Sequence, residues 1–181
     1  EGGTTLVGRT APSGQAWTSV QNGAITGGRL AFTGTKEGHL DLGSPLSGTV
    51  TITFGLAGLT SGENNVVFRR TDSQTNLVVQ LTGGSLRIGK VAAGTFTSLA
   101  SSLVPAANFR GPGAYRLHAS ISGSIIFGEL VALTGAQLAS VSYTLTDPDA
   151  TTYATGNFVG FKCYGSAQPT WVDDFLVRSY A

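Results

Sequence analysis

The sequence predicts an all-β protein folded as one antiparallel two-sheet sandwich. Three observations carry this. Polar and apolar residues alternate with a period of two along most of the chain, the pattern of half-buried strands. No window of eleven or more residues shows a 3.6 period, and Gly and β-branched residues run through every segment, which disfavours helix. Turn formers recur at roughly the 8–12-residue spacing of a sandwich. With 41% hydrophobic residues in a chain of 181, the strands have enough apolar surface for one common core.

The elements follow in order. Gly8 to Trp17 is irregular around Pro12 and Gly14, and Trp17 opens a strand. Thr49-Val50-Thr51-Ile52-Thr53-Phe54 alternates cleanly. Next, Val66, Phe68 and Arg70 share one face of a strand, and Val67, Arg69 and Thr71 the other. The loop Asp72–Asn76 leads into Leu77–Leu81, and Gly83-Gly84 turns the chain into Ser85–Val91. Ala93-Gly94-Thr95 is a further turn before Phe96–Leu99, so these strands form a meander. At most a short helical turn is expected near Leu99 to Asn108. Tyr115, Leu117, Ala119 and Ile121 then face one way and Arg116, His118 and Ser120 the other. Ser122-Gly123-Ser124 is a hairpin signal before Ile125–Leu133. Gln137–Leu145 closes on Asp147-Pro148-Asp149, and Phe158–Tyr164 and Thr170–Val177 complete about a dozen strands. The in-phase apolar residues Phe54, Phe68, Leu77, Val79, Leu81, Leu86, Ile88, Leu117, Phe161 and Phe175 are the expected core.

Composition narrows the function. Only 12% of residues are charged and the net charge is +1, which argues against nucleic acid or anionic lipid as a partner. No apolar run approaches the roughly 18 residues of a spanning helix, so membrane insertion is not expected. Cys163 is the only cysteine, so there is no disulfide scaffold, and its phase with Phe161 places it in the core. The chain has no Met and no visible leader. It is therefore read as one domain, residues 1–181, cut from a longer protein. His39 and His118 lack metal-motif companions, and the Gly27-Gly28 and Gly83-Gly84 pairs lack the helix and Lys of a phosphate cradle.

At the C-terminus, Gly156-Asn157-Phe158-Val159-Gly160-Phe161 precedes Asp173-Asp174-Phe175-Leu176-Val177. A G-x-x-G-F strand followed by a closing D-[DN]-F-x-V strand resembles a concanavalin A-like lectin/glucanase jelly roll. More specifically, it is similar to the laminin-G-like modules of secreted polysaccharide-acting proteins and bacteriophage virion proteins. The segments from Val66 to Asp72, Leu77 to Leu81 and Gly84 to Ile88 resemble that family's central meander, and Gly113 to Leu117 its later strand. The resemblance implies a glycan or cell-surface polysaccharide as ligand, other virion proteins or further copies of the chain as partners, and a virion-surface or extracellular setting. Hydrolases of this superfamily carry paired carboxylates, E-x-D-x-x-E, on one strand, and that spacing is absent here. The expectation is thus a non-catalytic lectin-like adhesion module. The alternatives are a structural virion decoration module and, more weakly, a glycoside hydrolase or lyase.

Candidate site residues are those out of phase with the core. If several of Arg69, Gln80, Arg87, Arg116, His118, Lys162 and Tyr164 share one sheet face, they form a polar surface donating hydrogen bonds to sugar hydroxyls or acidic groups; the alternative is solvent-facing positions scattered over both sheets. Trp171, after Gln168-Pro169-Thr170, is the candidate aromatic platform at the rim. Asp173 and Asp174 are candidate ligands for a structural Ca²⁺, a hard ion that takes oxygens from carboxylates and loop carbonyls. Related sandwiches hold such an ion near the closing strand.

Overall fold

The computed structural model describes residues 17–26, 29–56, 63–105, 113–164 and 171–180, with side chains described for residues 37–55, 63–105, 113–163, 172 and 175–180. The described residues form twelve strands and one four-residue helix. The strands are β1 (Trp17–Thr26), β2 (Arg29–Asp41), β3 (Gly48–Leu56), β4 (Glu63–Asp72), β5 (Thr75–Thr82) and β6 (Ser85–Ala92). They continue as β7 (Thr95–Leu103), β8 (Gly113–Ser122), β9 (Ile125–Ala132), β10 (Gln137–Thr144), β11 (Phe158–Tyr164) and β12 (Trp171–Ser179), with α1 (Asp149–Thr152) before β11. Where at most a short helical turn is expected, the chain is strand through Leu103, and residues 106–108 lie outside the described residues. The only helix among the described residues lies at Asp149–Thr152, where the sequence suggested a turn.

Every strand pairing is antiparallel. The hydrogen-bonded order is β10-β9-β8-β3-β12-β2-β11-β4-β5-β6-β7, with β1 alongside β2. This path doubles over at β2, which pairs with β12 through Leu30 and Ala31 and with β11 through Lys36–Asp41. The result is a jelly roll of two sheets, β10-β9-β8-β3-β12 against β11-β4-β5-β6-β7, with β6 and β7 packed over β9 and β10. The sheets approach closely where Gly128 faces Val79. A Cβ at Gly128 would lie 2.6 Å from Val79 Cγ1.

The turns explain the register. Gly83 and Gly84 take φ of 52° and 76°, and Ala93 and Gly94 take 48° and 77°. Positive φ at both central positions is the twist-matched two-residue hairpin turn. Between the sheets lies one apolar cluster that includes Phe54, Phe68, Leu77, Val79, Leu81, Leu86, Ile88, Leu117 and Phe161. Phe175 is partly buried against it, edge-on to Phe161 at 6.1 Å. Cys163 is buried in the same cluster. The segment after β10 closes one end, with Leu145 and Tyr153 buried, Tyr153 Oη donating to Val91 O at 3.0 Å and Lys90 Nζ bonding both Asp149 oxygens at 2.7 Å.

Simple alternation fails at one place. A bulge separates Phe68 from Asp72 on β4, with Arg69 at φ 50°. Arg70 therefore leaves the face of Val66 and Phe68 and ion-pairs with Glu37 on the outer side (Nη1 to Oε1, 2.6 Å). The extra residue in the strand reverses the phase beyond it.

Candidate functional site

The outer face of the β11-β4-β5-β6-β7 sheet carries a trough of about 340 Å³, at the small end of ligand-pocket sizes. The strand register builds it row by row. One row crosses Gly160, Val67, Val78 and Gly89 on successive strands. Two glycines and two valines stand low, and this row forms the floor, about 14 Å across three strand spacings. The aromatic ring of Phe96 lies over Gly89, where a Cβ would come within 2.5 Å of its Cε2 and Cζ. At the other end His39 lies over Gly160, where a Cβ would stand 2.5 Å from His39 Nδ1. On one side of the floor are Asn76 and Val91, paired across β5 and β6. On the other, the register places Glu37, Lys162, Asn65, Gln80 and Arg87 in a single polar row over five strands.

The amides of that row are fixed by their neighbours. Gln80 Nε2 donates to Glu63 Oε2 at 3.1 Å and to Asn65 Oδ1 at 3.0 Å, and Asn65 Nδ2 donates to Lys162 O at 2.8 Å. Asn65, Asn76 and Gln80 are buried although they lie on the outer side of the sheet. Buried amides held this way present set donors and acceptors to whatever enters the trough. Phe96 is 37% exposed, so its ring is the trough's accessible apolar surface.

Glu37 organises the charged end. Its carboxylate accepts from His39 Nε2 at 2.5 Å and Arg70 Nη1 at 2.6 Å, and Lys162 Nζ stands 3.3 Å from Oε2. Burial pushes the Glu37 carboxyl up, but the His39 and Arg70 hydrogen bonds and charges outweigh it and hold it at about 2. His39 moves down, chiefly through burial and then the Arg70 charge, against the pull of Glu37. Lys162 lines the trough while tethered to this group.

The sequence-predicted residues divide between the two sheets. Gln80 and Lys162 line the trough, and Arg87 stands opposite Gln80 on β6. Arg116 and His118 lie on the outer face of the opposite sheet, in a second groove, with His118 Nδ1 2.7 Å from Thr51 Oγ1. Burial shifts His118 down, which Glu129 opposes. Arg69 lines neither groove. Its Nε donates to Leu46 O at 2.8 Å and its Nη1 to Ala154 O at 2.7 Å, so it ties two loops together. The side chains of Tyr164, Trp171, Asp173 and Asp174, the Gln168–Thr170 loop and the Gly27-Gly28 turn lie outside the described residues. The backbone of β12 has a bulge between Asp173 and Leu176. Among the described residues no group of three or more His, Cys, Asp or Glu is placed to hold a metal. No helix there is long and apolar enough to cross a membrane.

Sequence reasoning missed Glu63, Asn65, Asn76 and Phe96. The signals were present. Glu63 and Asn65 are in phase with outward Val67, and a two-residue Ala93-Gly94 turn sets Phe96 opposite Val91.

No family model matches the chain, and no curated protein matches it in sequence. Solved structures share the fold. The carbohydrate binding module CBM66 from Bacillus subtilis superposes with a TM-score of 0.54 at 11% identity, over 98% of both chains. The CBM2 module of the evolved Dit of Lactobacillus casei BL23 phage J-1 gives 0.52 at 11% identity, over 95% of this chain and 91% of that one. Chicken galectin 2 gives 0.50 at 12% identity, over 77% and 97%. The chain has the concanavalin A-like, galectin-like jelly-roll fold.

Proposed function

We propose that this jelly-roll chain is a non-catalytic carbohydrate-binding module and that the trough on the β11-β4-β5-β6-β7 sheet holds the sugar. One observation carries the reading: an exposed Phe96 ring, seated over Gly89, faces a row of hydrogen-bond-fixed amides across a valine floor. A pyranose has apolar C–H faces and a polar rim of hydroxyls, so it matches a site with an aromatic surface and set amide groups. The names of the similar structures, two carbohydrate-binding modules and a galectin, point the same way. The phage Dit module supports a virion or secreted adhesion setting. Among the described residues lining the trough the one carboxylate, Glu63, is engaged by Gln80, and Glu37 at the charged end is engaged by His39, Arg70 and Lys162. Glycoside hydrolysis uses two, which favours binding over turnover.

The test is affinity electrophoresis of the chain in gels carrying bacterial-surface polysaccharides, with Phe96→Ala and Gln80→Ala beside the parent. A retarded parent and at least ten-fold weaker variants are expected. Exposed apolar side chains on β9 and the following turn, Ile125, Phe127 and Leu133, favour a second reading as a virion decoration module held by protein contacts. No retardation by any polysaccharide, with docking onto virion proteins instead, would replace the first reading by the second.

A further inference from the structure

The outer face of the opposite sheet holds its own groove, about 560 Å³ and so larger than the trough. Three threonines of β3 run along it. Thr53 pairs with Arg116, Thr51 with His118, and Thr49 with Arg178 of β12. Four residues of strand separate Thr49 from Thr53, so the two arginines mark ends about 13 Å apart. His118 is locked to Thr51 between them. Among the described residues neither Arg116 nor Arg178 makes a hydrogen bond or ion pair, whereas Arg69 and Arg70 are both committed to structural partners. No carboxylate is among the described residues lining the groove. Glu129 stands beyond His118 on β9.

We propose that this groove is a second and independent binding site, which takes a short saccharide chain bearing carboxylates, a uronate oligomer. A guanidinium presents paired donors that match a planar carboxylate. The threonine hydroxyls both donate and accept, as sugar hydroxyls do. Two cationic ends with hydroxyls between them suit an extended chain with acidic groups rather than one compact anion. His118 contributes its hydrogen bond to Thr51, which holds that hydroxyl in place. The site shares no residue with the trough and stands whether or not the trough binds sugar.

Calorimetric titration of the full chain with trigalacturonate, and with its methyl ester as the uncharged counterpart, tests this. The acid binds, more weakly as salt rises, and the ester binds at least ten-fold less well. The Arg116→Gln/Arg178→Gln double variant loses at least ten-fold affinity for the acid while its melting temperature stays unchanged, because neither arginine holds the fold. Phe96→Ala and Gln80→Ala, in the trough, leave the acid's affinity intact. No binding of trigalacturonate, equal binding of the ester, or an unaffected double variant overturns the proposal. Loss of binding in Phe96→Ala would instead assign the acid to the trough.

Discussion

Glu37 carries the largest resolved carboxylate shift, and its consequence has a definite sign. Its folded carboxyl sits at about 2 against an ordinary 4.5, so folding favours the ionised form. The stabilisation is complete above pH 4.5 and drains away as the pH falls through 2, about 3 kcal/mol in all. In urea unfolding at stepped pH, the parent should lead Glu37→Gln clearly at pH 6, with the gap closing towards pH 2. A pH-independent gap would show that Glu37 acts through packing alone. The sequence hid this group. His39 had no companion at any metal-motif spacing; its partner is Glu37, two residues away, whose other partners Arg70 and Lys162 come from distant strands brought together by register. Gly160 was visible as part of a G-x-x-G-F run, but its reason was not. A Cβ there would strike Gly38 O at 2.0 Å and the His39 ring.

Strands and hairpins were the most legible level, because alternation and turn chemistry are local. Their pairing partners were legible where hairpins are short, as from β4 to β7, and that register alone places Phe96 over Gly89. The β4 bulge was not legible, since the residue adopting positive φ is Arg69 rather than a glycine. Gly89 gives this level its own test. In Gly89→Ala the new methyl displaces the Phe96 ring, an exposed side chain free to move, and should weaken sugar retention several-fold. The melting temperature should fall by only a few degrees. A collapse in stability would mean that the ring is a structural cover rather than a binding surface.

At the scale of the molecule, alternation tells inside from outside but not one sheet from the other. That is why the sequence left open whether the outward Arg, His, Gln and Lys residues share one face, and the structure divides them between two. The contact between the sheets has a narrow point at Gly128, whose Cβ position is 2.6 Å from Val79 Cγ1 and 3.3 Å from Val141 Cγ1. Overpacking there costs about 1–3 kcal/mol. Gly128→Ala should therefore lower stability in chemical denaturation. Val79→Ala should do so too by emptying its space. Together they should cost less than the sum, since the pair compete for one volume. Strict additivity would mean that the sheets do not meet there.

The doubling at β2 governs how the chain assembles in time. A strand from the first quarter of the sequence has β11 and β12, from the last quarter, along it. During synthesis the hairpins from β4 to β7 can close as they emerge, but β2, paired with β1 along one edge, must wait for more than a hundred further residues before the strands of its other edge exist. Closing such long loops is entropically slow, which sets folding in the range of about milliseconds to seconds. In the interval β2 is an open template for strand addition by another chain. The joint that makes one molecule out of two sheets is thus the last part to be secured, and the part where a nascent chain is most exposed to a stranger.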